Sequence, residues 1–516
     1  MNKIEALKLE QDGLDVRGAI ARYAREGWEA ITEDDVQRLK WYGLFLRNPT
    51  PGFFMIRVRI PNGRTTAEQV RTLANIATQY GNSSIDLTTR QQVQLRHIRI
   101  ESVPAIFEAM DAVGLTSLQT GMDNIRNVMG CPLAGLNPSE LIDASPLAQA
   151  FTEHFVGNRA FTNLPRKFNV VITGCRDNCV HAETQDLALV PATRQCDKTD
   201  EVGFNVLVGG KLGSGGYRIA SPLDVFLRPD EVVEVCAAIV LLYRDHGNRE
   251  LRTQNRLAFL IDEWGEARFR DELETRLKRS LMRAGMDARK LGKNDHAGVF
   301  RQKQPGLNYV GLKVAVGRIT GEDLLFVAEL ADRYGTGDIR ISPAQTLIVP
   351  NIPDRRIGSL VEEPLLRSLP YNASEVFKGL VSCVGNDYCN LAVIETKSRA
   401  LEVAQQLEQS LTGVKPITMH WSGCPAGCGN HLVADIGLLG KRVKVNGEVV
   451  EAVDVFVGGR TGPDPKPALK ILEDVPCNKL ASVLEGLVPY HTRAKLHKTG
   501  RGKAVSRPQV EVSQNS

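Results

Sequence analysis

Two stretches of sequence decide the fold: IRVRIPNGRTTAEQVRTLANIATQYG at 56–81 and GLKVAVGRITGEDLLFVAELADRYG at 311–335. Each stretch predicts an alternating strand, a Thr that caps a helix and an amphipathic helix, and a further strand follows each one. Aligned on their Tyr-Gly ends, the two copies match at an offset of 254 residues, and the aligned pairs are Arg64 with Arg318, Thr66 with Thr320 and Tyr80 with Tyr334. The chain is therefore predicted to contain paired β-α-β half-domains.

A second block also repeats. GCRDNCVHAETQDLALV at 174–190 matches GCPAGCGNHLVADIGLLG at 423–440, at an offset of 249 residues. Further on, FNVLVGGKLG matches VDVFVGGRTG at the same offset. Two blocks in the same order, at nearly equal offsets, indicate that one large unit has been duplicated.

The duplication predicts a domain plan. We expect an N-terminal helical segment at 1–50, paired half-domains at 51–120 and 305–373, a matched pair of larger domains at 121–304 and 374–486, and a basic polar tail at 487–516.

Composition excludes several classes of protein. The chain has 516 residues, of which 42% are hydrophobic and 24% charged, so it can bury a large core and is not mostly disordered. A net charge of +4 is too small to indicate nucleic-acid binding. Apolar runs such as AAIVLLY at 237–243 are too short to span a membrane, and the N-terminus has no apolar leader. We expect a soluble cytoplasmic protein without an integral membrane segment.

Four cysteines form the strongest metal-binding pattern. Cys383 and Cys389 are spaced C-x5-C, and Cys424 and Cys428 are spaced C-x3-C, in loops rich in Gly and Pro. Four thiolates can hold zinc or an iron–sulfur cluster. The six-residue step from Cys383 to Cys389 is unusual for zinc, so the spacing favours a [4Fe–4S] cluster over the zinc alternative.

The first copy lacks one of these thiols. Cys131, Cys175 and Cys179 mirror three members of the set, but the fourth position is Asn137. Matching positions therefore cannot complete a four-thiolate site, and we expect Cys175 and Cys179 to pack as small hydrophobes. The isolated cysteines are Cys196, Cys236 and Cys477, for which a structural role is expected.

Cations and amides recur on the inner faces of three predicted strands. In MIRVRI, alternation places Arg57 and Arg59 on one face. In PRKFNVV, it places Lys167 and Asn169 together. In LTTRQQVQLR, one face carries Thr88, Arg90, Gln92, Gln94 and Arg96. This pattern is typical of an anion-binding surface, although ordinary half-exposed strands would produce it too.

These motifs resemble those of a known family. GMDNIRNVMGCPLAG, NLPRKFN and HWSGCPAGCGNH, together with the two cysteine pairs, resemble the siroheme-containing nitrite and sulfite reductases, and most of all their ferredoxin-dependent nitrite reductases. The resemblance covers essentially the whole chain. It implies an α+β fold with internal duplication: a pseudo-twofold, three-domain architecture of ferredoxin-like half-domains and mixed sheets flanked by helices.

The resemblance also implies the cofactors and the reaction. It implies a siroheme next to a [4Fe–4S] cluster, whose ligands are Cys383, Cys389, Cys424 and Cys428. Cys428 would bridge the cluster and the siroheme iron. The implied activity is that of an oxidoreductase of nitrate assimilation, which reduces nitrite to ammonia with six electrons from reduced ferredoxin. The alternative is a ferredoxin-dependent assimilatory sulfite reductase.

Roles for the anion-binding residues follow from the same resemblance. The residues implied to surround the substrate are Arg57, Arg126, Lys167 and Asn169. Those implied to contact siroheme are Thr88, Arg90 and Gln94, together with Cys428, and Arg59 and Arg166 are further candidates. Sulfite reductases of the family carry Lys where this chain has Asn169, and three cations with one neutral amide suit singly charged nitrite better than sulfite.

The electron donor is expected to be a separate protein. No flavin or nicotinamide fingerprint and no second ferredoxin-type cysteine run is present in the sequence. The C-terminal tail is basic, so it is predicted either to be a solvated segment or to help dock acidic ferredoxin. A monomer is expected.

Overall fold

The computed structural model describes residues 2–196, 199–213, 216–292 and 295–496. Its helices are α1 (Lys3–Glu10), α2 (Arg17–Glu26), α3 (Glu33–Arg38), α4 (Ala67–Tyr80), α5 (Val103–Ala112), α6 (Ser145–Phe155), α7 (Val232–His246), α8 (Leu257–Leu277), α9 (Gly321–Tyr334), α10 (Asp354–Val361), α11 (Glu375–Lys378), α12 (Lys397–Ser410) and α13 (Leu480–Thr492). Among the described residues, none of the helices combines the length and apolar composition needed for a bilayer crossing.

The strands form four large sheets and one small one. In chain order they are β1 (Leu44–Arg47), β2 (Thr50–Val58), β3 (Arg64–Thr66), β4 (Ser84–Leu87), β5 (Val93–Ile98), β6 (Ile125–Met129), β7 (Phe168–Ile172), β8 (Leu187–Cys196), β9 (Thr199–Val208), β10 (Ser221–Leu227), β11 (Met286–Asp287), β12 (Gly298–Arg301), β13 (Leu307–Lys313), β14 (Arg318–Thr320), β15 (Asp338–Ile341), β16 (Thr346–Pro353), β17 (Leu380–Ser382), β18 (Leu411–Thr412), β19 (Met419–Ser422), β20 (Ile436–Val445), β21 (Glu448–Val457), β22 (Leu469–Pro476) and β23 (Lys495–Leu496).

The two half-domains exchange a strand. One sheet has the order β1-β2-β5-β4-β14 and the other the order β12-β13-β16-β15-β3. Strand β14, from the second copy, pairs antiparallel with β4 of the first, and β3, from the first copy, pairs with β15 of the second. Each copy therefore completes the sheet of the other, which gives the duplicated chain a pseudo-twofold core.

The repeated helices begin as the sequence predicts. The Oγ1 atom of Thr66 accepts a hydrogen bond from the Gln69 N–H at 3.2 Å, and Thr320 Oγ1 accepts one from the Asp323 N–H at 3.0 Å. These caps satisfy backbone donors in the first turns of α4 and α9. The apolar faces of both helices pack into one core shared by the two exchanged sheets.

The larger domains are also copies of one another. In the order β10-β9-β8-β7-β6, the strands β6, β7 and β8 are parallel and the remainder antiparallel, with β11 added against β8. In β17-β19-β20-β21-β22, the first three strands are parallel and the others antiparallel. Each sheet has its own hydrophobic core. The α+β fold with duplicated halves and mixed sheets is thus confirmed.

Three predicted domain boundaries are corrected by the structure. The first exchanged sheet begins at Leu44, inside the predicted N-terminal segment, and the second begins at Gly298, before residue 305. Helix α13 runs to Thr492, past the predicted start of the tail at 487, because Val488 continues its apolar face into the core. The tail after residue 496 lies outside the described residues.

Candidate active site

One cavity of about 270 Å³ collects the predicted substrate and siroheme residues. It lies where the first exchanged sheet meets the two larger domains. Its lining includes Arg57, Thr88, Arg90, Gln94, Arg126, Lys167, Asn169 and Cys428. Residues that sequence reasoning missed also line it, among them Phe45, Gln185 and Leu212. No charge or strand pattern marked these three; only the folded chain brings them to the cavity.

Strand β2 aims Arg57 at the cavity. Its neighbours Ile56 and Val58 enter the core, so alternation turns Arg57 to the opposite face. The Arg57 guanidinium lies 4.5 Å from the centre of the Phe45 ring and donates to the Thr120 carbonyl at 3.1 Å. A cation–π contact and one carbonyl fix its direction while leaving other N–H groups available to a ligand.

Arg59 and Arg166, which the sequence analysis named as further candidates, contact other groups of the protein. Arg59 donates to the carbonyl oxygen of Arg126 at 2.9 Å and to that of Ile125 at 3.2 Å. Arg166 lies 3.6 Å from a carboxylate oxygen of Asp123. Neither side chain is part of the cavity lining, unlike Arg126, which lines the cavity while also donating to the carbonyls of Thr120 and Met122.

The segment between β4 and β5 is a turn, not the continuous strand that alternation predicted. The Thr88 N–H donates to the Gln92 carbonyl at 2.9 Å, and the Oγ1 of Thr88 accepts from the N–H groups of Arg90 and Gln92. Gln91 adopts a positive φ of 56°. A Thr hydroxyl that bonds to its own backbone competes with strand pairing, which explains why the pattern misled. The turn still presents Thr88 and Arg90 to the cavity.

Strand β7 positions Lys167 and Asn169. Phe168 is buried in the core of the first larger domain, so its neighbours on either side face the cavity. The Asn169 backbone N–H donates to Asp186 at 2.8 Å, and Asp186 in turn pairs with Arg256. The Asn169 Oδ1 atom has no hydrogen-bond partner among the described residues, which leaves a buried acceptor directed at the cavity.

The cavity concentrates positive charge. Arg126 is buried, whereas Arg57, Arg90 and Lys167 are half-buried because they face the cavity. Burial, followed by repulsion from neighbouring cations, lowers the pKa of Arg57 to about 9. Burial and neighbouring arginines also hold the pKa values of Arg126 and Lys167 well below their ordinary range.

These charges have no neutralising carboxylate in the part of the chain that the structure describes. Among the described residues, no carboxylate forms an ion pair with any of the four cations. Two carboxylates that act on them from a distance, Asp123 and Asp186, are already paired with other arginines. Uncompensated cations at a buried surface favour an anionic ligand. Carboxylates of a tetrapyrrole and a small anion both fit this donor set.

Four thiols meet beside the cavity. Strands β17 and β19 are parallel neighbours, so the loops at their carboxyl ends, which carry Cys383 and Cys424, lie side by side. The Gly423 N–H donates to the Cys383 Sγ at 3.2 Å. Burial raises the pKa of Cys424 to about 11, and the nearby thiols of Cys428, Cys389 and Cys383 act in the same direction. The fold thus brings together the four cysteines that the sequence predicted as cluster ligands.

Cys428 is the member of this set that faces the cavity. It is exposed, and its carbonyl accepts a hydrogen bond from the Thr89 Oγ1 at 2.9 Å. On the other side, a Cβ added to Gly213 would lie 2.3 Å from the Ala426 carbonyl oxygen, so only glycine permits this approach. These contacts hold the Cys428 thiol between the thiol loops and the cationic wall.

A second cavity occupies the mirrored place in the other half. It has a volume of about 490 Å³. Cys179 lines it in the place of Cys428, and Lys378 lies where Arg126 stands in the first cavity. Pro416 and Thr418 replace Lys167 and Asn169. Lys378, Arg460 and Lys466 line this cavity too, but carboxylates share the lining with them, namely Glu375, Asp295 and Asp435, whereas the first cavity has none among the described residues of its lining.

Two family models match the chain. The model described as nitrite/sulfite reductase ferredoxin-like half domain matches residues 47–113 and 300–366, the two exchanged half-domains. The model described as nitrite and sulphite reductase 4Fe-4S domain matches residues 121–281. That range covers the first larger domain and ends before Cys383, so the match does not by itself assign cluster ligands.

Curated relatives match over nearly their full length. The ferredoxin–nitrite reductase of Synechococcus elongatus is 46% identical over 495 residues, which are 95% of this chain and 96% of the relative. The assimilatory ferredoxin-dependent nitrite reductase of Haloferax mediterranei is 39% identical, over 94% of this chain and 88% of the relative. The solved structure of Mycobacterium tuberculosis NirA protein superposes with a TM-score of 0.87 at 32% identity, over 93% of this chain and 91% of that one.

Proposed function

The chain belongs to the nitrite and sulfite reductase family, and we propose that it reduces nitrite to ammonia at a siroheme coupled to a [4Fe–4S] cluster, with electrons from reduced ferredoxin. The observation that carries this proposal is the juxtaposition of four neighbouring thiols with a cavity walled by cations that form no ion pair with a carboxylate among the described residues. One surface suits a redox cluster and the other suits anions.

The proposed ligands follow from the position of each thiol. Cys383, Cys389, Cys424 and Cys428 would hold the cluster, and Cys428 would also serve the siroheme, since its thiol is the one in the cavity. Thr88, Arg90 and Gln94 are assigned to the siroheme and its carboxylates. When bound, the two cofactors would supply the redox chemistry of the reaction.

The remaining cavity residues handle the anion. We assign Arg57, Arg126 and Lys167 to nitrite, whose oxygens accept their N–H groups. These donors stabilise charge that develops on oxygen as each N–O bond breaks. The reaction consumes six electrons and eight protons per nitrite to give ammonium and two waters. Because burial lowers the pKa of Lys167, its ammonium group releases a proton to a departing oxygen more readily than an exposed lysine would.

Asn169 supports nitrite over sulfite as the substrate. Its neutral amide adds no further cation to a wall that already holds four. A doubly charged anion gains more from each added cation than a singly charged one does. The amide therefore matches the smaller charge of nitrite.

We also propose the electron donor, the oligomeric state and the cellular location. Ferredoxin is assigned as the donor because acidic carriers suit a basic tail. A monomer is supported by the exchanged strands, since the two halves complete each other's sheets within one chain. A cytoplasmic location is proposed because ten cysteines in 516 residues, several of them clustered, are typical of metal or redox chemistry in a reducing compartment.

A spectrum combined with turnover assays tests this function. Purified holoprotein should show siroheme and iron–sulfur absorption, and it should turn over nitrite with reduced ferredoxin. Parallel assays with sulfite decide the substrate. A colourless protein, or sulfite turnover faster than nitrite turnover at equal concentrations, would overturn the proposal.

A further inference from the structure

A second group of potential metal ligands lies outside the active site. Ligand atoms of Cys131, Cys179 and His296 all lie within 4.8 Å of one another. Cys175 packs in the same buried cluster as Cys131 and Cys179. All four residues are at least nine-tenths buried. We call this group the first-copy thiol site, and its members are Cys131, Cys175, Cys179 and His296.

The duplicated fold brings the three thiols together. Cys131 follows β6, and Cys175 and Cys179 follow β7, its parallel neighbour. The loops at the carboxyl ends of adjacent parallel strands meet at one edge of the sheet, as they do in the second copy. The backbone geometry that gathers thiols for the cluster is therefore present twice.

The thiol sets of the two copies differ at one aligned position. Asn137 stands where the second copy has Cys389. Its Nδ2 donates to the Cys175 Sγ at 3.2 Å and to the Asp177 carboxylate at 3.0 Å. A hydrogen bond to sulfur of this kind orients and stabilises a metal-bound thiolate. The first copy has thus replaced the fourth thiol by a donor to a remaining one.

His296 supplies the fourth position from a distant segment. It precedes β12 and adopts a left-handed conformation with φ of 60°, which is uncommon for a residue with a side chain. A Cβ added to Gly311 would lie 1.8 Å from the His296 carbonyl oxygen, so β13 accepts this segment only because it has glycine there. Such a constrained placement indicates that the ring position matters.

Chemistry identifies the metal that suits these ligands. We propose that the first-copy thiol site binds one zinc ion in closed, tetrahedral Cys3His coordination. Thiolates with one imidazole are typical ligands of structural zinc. Zn–S bonds of about 2.3 Å in a tetrahedron place ligand atoms roughly 3.8 Å apart. The ligand atoms of Cys131, Cys179 and His296 already lie within 4.8 Å of one another, and Cys175, which is outside that group, would move toward them to complete the tetrahedron.

Zinc would have a structural role, since it would link the first larger domain to the second exchanged sheet. The thiols come from the first larger domain, whereas His296 leads into the second exchanged sheet. The surroundings are apolar, with Tyr309 and Ile348 packed against the thiols. Four protein ligands leave no open coordination position, so this ion would fix the domains together rather than take part in nitrite reduction.

Metal analysis of the holoprotein tests the proposal directly. Protein purified without oxygen or chelators, and freed of any affinity tag, should contain about one zinc per chain in addition to its iron. Zinc-edge X-ray absorption should show three sulfur ligands at about 2.3 Å and one nitrogen at about 2.0 Å. This measurement needs no variant, so it remains decisive if a substitution prevents folding.

Two substitutions locate the ion. His296→Ala and Cys179→Ser should each lower the zinc content at least about tenfold, while iron content and siroheme absorption stay unchanged. Cys236→Ala is the matched control, because it removes an equally buried thiol from another core and should retain zinc.

Four results would overturn the assignment. The first is an unmodified protein that contains no zinc and takes up none when incubated with one equivalent of zinc salt under reducing conditions. The second is zinc bound only by nitrogen and oxygen, and the third is full zinc retention in both variants. The fourth is a disulfide joining Cys131 and Cys179 in the purified protein. None of these results depends on whether nitrite is the substrate.

Discussion

The two cavities of the duplicated chain share a backbone and differ in charge. In one, Cys428 faces a wall that contains Arg126 and Lys167; in the other, Cys179 faces Lys378 and Pro416 at the mirrored places. The strands that carry these residues have the same order in both halves. The fold therefore supplies two equivalent pockets, and a handful of side chains decides which of them can bind anions.

The two thiol sets also differ at a single aligned position. Three thiols occur in both, but Cys389 on one side faces Asn137 on the other. A cubane cluster needs the fourth thiolate, whereas a single zinc ion accepts a histidine in its place. In the proposed zinc site, the loss of one loop thiol is combined with a ligand from a distant segment, His296.

Removing the bridging thiol is expected to have the largest effect. Cys428→Ser should abolish siroheme and cluster absorption and nitrite turnover, because we propose that this one thiolate serves both cofactors. Cys179→Ser, its counterpart in the first copy, should keep both absorption features. The measurements are the visible spectrum, iron content and nitrite turnover. If Cys179→Ser also bleached the protein, the assignment of the catalytic cofactors to the second copy would be wrong.

Removing a cavity cation should have the next largest effect. Lys167→Ala and Arg126→Ala should each lower turnover by about 10²-fold with cofactors retained, because each removes a donor to bound anion or to developing oxygen charge. Steady-state kinetics on protein of matched siroheme content measures the loss.

The mirrored cavity offers the control. Lys378 stands in the place of Arg126 but lines the second cavity, where it pairs with Glu375. Lys378→Ala should leave nitrite turnover unchanged. Equal losses in Arg126→Ala and Lys378→Ala would show that the two cavities are not functionally distinct.

Adding a cation should change the choice of substrate. Asn169→Lys should raise the ratio of sulfite to nitrite turnover by about tenfold, which corresponds to 1.4 kcal/mol, because the added charge favours the more highly charged anion. Thr418→Lys adds the same charge at the mirrored position and should not alter the ratio. An unchanged ratio in Asn169→Lys would place specificity in other residues.

Sequence reasoning was sufficient where a pattern is local. The repeats predicted the duplicated units, and alternation placed Arg57 and Lys167 on cavity-facing sides. Alternation could not distinguish the role of Arg57 from that of Arg59. It predicts which face of the strand a side chain is on, but not which backbone carbonyl groups of other segments that side chain will meet. It also failed at Thr88, whose hydroxyl bonds to the backbone and turns the chain.

Long-range relations were beyond the sequence. Strand exchange between the halves was not predicted, because periodicity identifies a strand but not its partner. His296 was missed for a similar reason: it lies more than 100 residues from Cys179 along the chain, and no motif spacing joins them. The structure supplies this contact because β12 and β13 bring the preceding segment back to the first larger domain.

The smallest effect is expected from the basic C-terminal tail, a feature that only one end of the duplicated chain carries. Lys498, Arg501, Lys503 and Arg507 lie outside the described residues, but α13 and the β18–β23 pair are complete at Leu496. Deleting the residues after Leu496 should therefore leave the fold intact. It should lower the ferredoxin-driven rate by about threefold, which is a small part of the ~10- to 10³-fold increase in association rate that electrostatic steering can provide.

The choice of electron donor separates docking from catalysis. Ferredoxin must deliver electrons repeatedly to each nitrite, which favours fast, weak encounters steered by charge. Salt should weaken these encounters, because the Debye length falls from ~10 Å at 0.1 M salt to ~3 Å at 1 M. The rate driven by a small cationic dye, such as reduced methyl viologen, should change neither with salt nor with the deletion.

Replacing the four basic residues by Gln keeps the length of the tail and should lower the ferredoxin-driven rate as much as the deletion does. If the Gln variant retained the full ferredoxin-driven rate, the charges would not be the cause. If the deletion also had no effect, ferredoxin would have to dock on the folded domains, whose surface is shared between the two halves.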